Sequence, residues 1–174
     1  EMKIASTIAD GRGDTDQLLY DLAHRLQRRG ARVCGTVQVN SDRVDGAPCD
    51  MDVKVFPDGP VLRISQNLGR GSRGCRLNPA ALETAVGLVG MSLVTGVDCL
   101  IINKFGKQEA EGHGFREVIA NALSLGVPVL VGLNRLNQSA FEEFAGGFAV
   151  NLSPDVDQLE HWLLASMEAV VFAA

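Results

Sequence analysis

Short apolar runs alternate along the chain with stretches in which leucines recur every fourth residue, so strands and helices are predicted in turn. Residues 3–8 read as a strand, and a loop, Asp10-Gly11-Arg12-Gly13-Asp14, follows it. A helix then starts near Thr15 or Asp16, buries Leu18, Leu22 and Leu26, and ends at Arg28-Arg29-Gly30. Acids in its first turn and arginines before a terminal glycine suit the helix dipole and a left-handed C-cap. Residues 32–38 are the next strand. This strand–helix–strand opening is a βαβ unit and predicts a parallel sheet with a right-handed crossover.

Residues 41–50 are polar and turn-rich, and 51–56 with 61–66 read as an antiparallel hairpin joined by Pro57-Asp58-Gly59-Pro60. A glycine- and arginine-rich loop, 68–79, leads to a helix with Asn78 as N-cap and Pro79 at its first position. That helix runs to about Thr95, and its Gly87 and Gly90 are expected to serve close packing. Residues 97–103 (Val-Asp-Cys-Leu-Ile-Ile-Asn) read as a strand with a continuous apolar middle, as at the centre of a parallel sheet. A loop over 104–114, a helix to Leu125, a strand over 129–133, a short helix over 139–145 and an edge strand over 148–152 follow. Ser153-Pro154-Asp155 caps a last helix bearing Leu159, Trp162, Leu163, Met167 and Val170. The expected architecture is one α/β domain over residues 1–174, three layers around a mostly parallel sheet, with a hairpin inserted at about 51–66.

Composition narrows the function. Sixteen Lys and Arg against 21 Asp and Glu leave a net charge of −5, which argues against a general polyanion binder such as a nucleic-acid protein. Twelve of the 16 cations are arginines, and four of them (Arg63, Arg70, Arg73, Arg76) fall in residues 59–82, which hold no acid. That segment carries +4 and the remainder −9, so the acidic total leaves room for a small-anion site. Four cysteines without CxxC spacing suggest neither a zinc site nor a disulfide scaffold. No apolar run reaches the roughly 18 residues of a membrane span. The first residues lack a signal-peptide pattern, and the expectation is a cytoplasmic protein.

In an open α/β sheet, ligands bind beyond the carboxyl ends of the strands. The loops 9–14, 104–114 and the one after 129–133 are expected there, with 68–79 a candidate to join them. Gly11, Arg12 and Gly13 stand where a phosphate loop would, but the lysine of GxxxxGK[ST] is missing and Asp14 and Asp16 oppose an anion. A tight turn with acidic N-capping is the competing reading. Asn103 and Lys104 end the apolar strand where a magnesium-binding acid would stand, so no metal site is assigned. Glu109 and Glu111 are candidates for a general base, against solvated loop residues, and His113 for an acid/base or a surface residue.

Arg70-Gly71-Ser72-Arg73-Gly74-Cys75-Arg76 gathers arginines, a hydroxyl and glycines before a helix start. Glycines allow a backbone N–H nest, and arginines suit a tetrahedral oxyanion. Two other readings stand beside it: arginines paired with the protein's own or a second subunit's acids, and a reactive Cys75 activated by its arginine neighbours.

The blocks 64–69, 74–79 and 103–112 (Asn-Lys-Phe-Gly-Lys-Gln-Glu-Ala-Glu-Gly) resemble a bacterial domain-of-unknown-function family whose members are associated with molybdenum transport genes. More distantly, the order of elements is similar to small P-loop nucleoside-triphosphatases. The resemblance implies a P-loop-type fold and candidate ligands of two kinds: molybdate, tungstate or phosphate, or a nucleotide with magnesium. A small-oxyanion-binding protein with a degenerate P-loop is the leading expectation. The alternative is an atypical nucleoside-triphosphatase in which Arg12 or Lys104 replaces the P-loop lysine and Glu109 positions water or metal. The apolar last helix adds the expectation of a homo-oligomer.

Overall fold

A computed structural model describes residues 2–11, 13–41, 50–66 and 76–173, with the backbone alone at 40, 41 and 168–173. Seven strands form one sheet in the order β4-β3-β2-β7-β8-β1-β9. They are β1 (Ile4–Thr7), β2 (Val33–Ser41), β3 (Asp50–Phe56), β4 (Val61–Arg63), β7 (Cys99–Phe105), β8 (Val129–Leu133) and β9 (Val150–Leu152). β2, β7, β8, β1 and β9 run parallel, and β3 and β4 extend the sheet antiparallel beyond β2.

The opening β1 and β2 do share a parallel sheet, but β7 and β8 stand between them. The reason is burial. All five residues of β8, and Cys99 to Ile102 of β7, are buried, so these strands are apolar on both faces and take the centre. Helices cover both faces. On one, α2 (Pro79–Leu93), α4 (Arg116–Ser124) and α5 (Gln138–Ala145) pack Leu82, Val89, Ile119 and Phe141 against Leu100, Ile102 and Val131. On the other, α1 (Asp14–Arg28) and α6 (Val156–Ala173) pack Leu19, Leu22, Leu26, Leu159 and Leu163 against Ile101 and Leu130. This is the three-layer α/β arrangement.

Local signals explain the helix ends. Gly30 takes φ +87 after α1, and the Ala31 N–H returns to the Leu26 carbonyl at 3.1 Å, which closes the last turn. At α2, Asn78 Oδ1 accepts the N–H groups of Ala80 (3.1 Å) and Ala81 (3.4 Å), with Pro79 at the first position. Asp155 Oδ1 accepts the Gln158 N–H at 3.0 Å and starts α6.

Four expectations need correction. The second hairpin arm is short: it pairs with β3 only over Val61–Arg63. Buried Ile64 still donates its N–H to the Met51 carbonyl at 2.9 Å, but the strand ends there, and β5 (Ser65–Gln66) pairs with β6 (Arg76–Leu77) in a separate two-stranded sheet. The glycines of α2 do not serve close packing: a Cβ at Gly87 would meet nothing within 4 Å, and one at Gly90 only Val118 Cγ2 at 3.9 Å. The 104–114 stretch is more ordered than a loop, since β7 continues to Phe105 and a short helix α3 (Lys107–Ala110) follows. Finally, Leu18 is only partly buried, because Leu19 and Ala23 share the buried stripe with Leu22 and Leu26. Among the described residues, no helix is long and apolar enough to cross a membrane.

Candidate functional site at the carboxyl edge of the sheet

A cavity of about 480 Å³ opens beyond the carboxyl ends of β1, β7 and β8. The chain after β1 supplies Ala9, Asp10, Gly11, Gly13, Thr15 and Asp16; β7 supplies Asn103 and Lys104; the turn after β8 supplies Asn134 and Arg135. A groove of about 670 Å³ runs along the second half of α1, beside Tyr20, His24 and Arg28, away from this edge.

The first loop is built to bring α1 onto the sheet. Gly13 is its N-cap at φ 78, ψ −4, a left-handed conformation that suits glycine. The Thr15 hydroxyl accepts the Ala9 N–H at 3.0 Å and ties the loop across its base. Measured from Gly13, Thr15 occupies the hydroxyl position of GxxxxGK[ST], Asp14 the lysine position and Ile8 the first glycine. The sequence reading missed Thr15, although counting from Gly13 would have found it. Asp14 is exposed and folds back on the loop, close enough that a Cβ on Gly11 would collide with its carboxylate. The lysine position is thus filled by an acid outside the cavity lining.

Gly11, Gly13, Asn103 and Lys104 therefore meet at one cavity, in different roles. Lys104 is exposed at its wall. Asn103 is buried and committed to β2: its Oδ1 accepts the Thr36 hydroxyl at 2.7 Å, and its Nδ2 donates to Gln38 Oε1 at 3.0 Å. Arg135, which sequence reasoning did not single out, reaches Asp10 Oδ1 with Nη2 at 2.9 Å. No run of charge or motif marks it; only the order of β1 and β8 in the sheet brings the two loops together.

Glu109 lies elsewhere. It is 3% exposed and does not line the cavity. Its Oε1 accepts the Gly106 N–H (2.9 Å) and its Oε2 the Phe115 N–H (3.4 Å), so one carboxylate organises α3 and the start of α4. Gly114, at φ +59, leaves room for it. Burial pushes the Glu109 carboxyl above its ordinary range, against the pull of those two N–H groups and Lys104. Glu111 sits in solvent, 3.9 Å from Lys107, and His113 is exposed.

Arg76 is exposed on β6. Arg63 is not free of acids as the sequence suggested: the antiparallel register sets it against Asp52 and within 3.2 Å of Asp50, both on β3. Arg12 and the stretch Arg70, Gly71, Ser72, Arg73, Gly74 and Cys75 lie outside the described residues. Cys34 and Cys99 are buried free thiols; burial pushes Cys34 up to about 11 and Cys99 upward as well. Neither supplies a thiolate at neutral pH.

The family model described as "Protein of unknown function (DUF2478)" matches residues 4–162. The chain belongs to that family. This DUF2478 chain is also 35% identical over 162 residues to the molybdenum import ATP-binding protein ModC 2 of Bradyrhizobium diazoefficiens. The alignment takes in 92% of the chain but only 18% of ModC 2, so the chain spans under a fifth of that relative. Among solved structures, that of THEP1 from the hyperthermophile Aquifex aeolicus superposes with a TM-score of 0.56 at 18% identity, over 94% of this chain and 96% of THEP1. At that identity the likeness concerns the fold, which is P-loop-NTPase-like, as the resemblance implied.

Proposed function

We propose that this chain binds a small tetrahedral oxyanion (molybdate, tungstate or phosphate) at the carboxyl edge of its sheet, as a cytoplasmic accessory to molybdenum metabolism or transport. The observation that carries this reading is the meeting of Lys104, Arg135, Thr15, Gly11 and Gly13 around one cavity at the start of α1. A helix N-terminus presents N–H groups and partial positive charge, and Lys104 and Arg135 add two cations, set against the carboxylates of Asp10 and Asp16 in the same lining. The name of the relative ModC 2 supports molybdenum as the context. The arginines 70, 73 and 76 belong to the proposal as a second source of donors for the same anion.

The same chemistry speaks against hydrolysis. Asp14 stands at the lysine position. Asn103, at the end of β7, is an amide held by Thr36 and Gln38 and cannot act as a carboxylate ligand or base. Glu109 is spent on backbone N–H groups.

A second reading, nucleotide binding, is favoured by cavity size: about 480 Å³ falls in the range of small-molecule sites and exceeds what one oxyanion fills. Thr15 and Asp16 supply the oxygen donors that would hold an accompanying magnesium. A thermal-shift and calorimetric series with molybdate, tungstate, phosphate, sulfate, ATP and GTP, with and without magnesium, separates the two. Binding of a free oxyanion that Lys104→Ala weakens supports the first; binding confined to nucleotides replaces it with the second; no response to any of them refutes both.

A further inference from the structure

Asp10, after β1, and Arg135, after β8, are 125 residues apart in sequence and join at 2.9 Å across the same cavity. Their side chains are 85% and 80% exposed. Building on the oxyanion reading, we infer that Asp10 is the resident counter-ion of Arg135 and that an entering oxyanion exchanges with it, which makes Asp10 a specificity-determining internal competitor.

Three observations carry this. Water screens an exposed ion pair, so the pair yields at little cost to a stronger partner. The contact runs from one guanidinium nitrogen, Nη2, to one carboxylate oxygen, whereas the guanidinium fork is shaped to receive two oxygens at once. The competition is also graded by charge. A dianion attracts Arg135 more strongly than the single charge of Asp10 does, while a monoanion gains nothing by the exchange. The pocket therefore selects dianionic oxyanions such as molybdate or hydrogen phosphate over monocarboxylates. Because Asp10 and Arg135 sit on different loops, the exchange also unlinks the loop after β1 from the turn after β8.

The test is calorimetric titration of the whole chain with sodium molybdate, inorganic phosphate and magnesium ATP, for the wild type, Asp10→Asn, Arg135→Gln and the double variant. Both side chains are exposed, so the core is untouched. Asp10→Asn tightens binding about two- to fivefold, the range of an exposed pair. Arg135→Gln weakens it, and adding Asp10→Asn to Arg135→Gln then changes nothing. An unchanged or weaker affinity in Asp10→Asn overturns the inference. So does an equal gain with and without Arg135, which would mean general repulsion; both outcomes leave the oxyanion reading standing. If none of the four proteins binds any of these anions, that reading fails and the inference with it.

Discussion

Gly132 of β8 lies directly beneath Thr15 of α1: a Cβ at Gly132 would approach Thr15 Cγ2 and Leu19 Cδ1 to 3.0 Å and collide with the Asn103 carbonyl. One missing side chain thus lets the first turn of α1 rest on the sheet between the strands that frame the cavity. Gly132→Ala forces α1 and β7 apart, with an overpacking cost of about 1–3 kcal/mol. Urea unfolding should show that loss. Anion affinity should fall along with it, because Thr15 and Lys104 separate. A variant of native stability and affinity would show that this contact does not set the pocket.

Lys104 contributes a full positive charge to the cavity wall without an ion pair among the described contacts. Lys104→Ala is expected to weaken anion binding about tenfold, equivalent to about 1.4 kcal/mol, with little effect on melting temperature. Replacing arginines 70, 73 and 76 together by alanine should weaken the same binding further. If calorimetry finds it unchanged in that triple variant, the arginine-rich loop has no part in the site.

Glu109 links local structure to pH. Its carboxyl is raised by burial, so the folded state holds its proton more tightly than the unfolded chain does. The resulting contribution to stability is complete below the ordinary carboxylate pKa and is lost as pH rises through the raised folded value. Glu109→Gln removes this titration but leaves one buried N–H without an acceptor, at a cost of about 1–3 kcal/mol. The stability gap between wild type and Glu109→Gln should therefore be larger at pH 5 than at pH 8 in denaturant melts. A gap that widens with pH contradicts this assignment.

Asn78→Ala removes the side-chain cap of α2 and should cost about 1 kcal/mol, read as a lower melting temperature. Asn78→Asp should recover most of it, since a carboxylate accepts the same N–H groups and favours the positive helix end.

Much of the element order could be read from the chain, because its signals are local. The leucine spacing of α1, Asn78-Pro79 before α2 and the apolar run of β8 all act within one turn or one strand. The reading faltered where a local signal was ambiguous. Arg63 looked free because its acids lie on the neighbouring strand. Glu109 looked like a loop residue because the four-residue helix α3 is too short to show a periodic pattern, although its backbone partners Gly106 and Phe115 are near in the chain.

By itself, the sequence determined the α/β class, the N-caps of α2 and α6, the glycine that ends α1, the glycine loop after β1 and the absence of a P-loop lysine, since each depends on residues close in the chain. The acidic N-cap expected for α1 is instead Gly13, with no side-chain cap. Tertiary structure alone decided that β7 and β8 enter between β1 and β2, because burial on both faces is a property of the whole sheet. That order then set Asp10 against Arg135 and brought Thr15 and Lys104 to the wall of one cavity. Pairing at a distance follows from which strands lie side by side, and no local rhythm of residues encodes it.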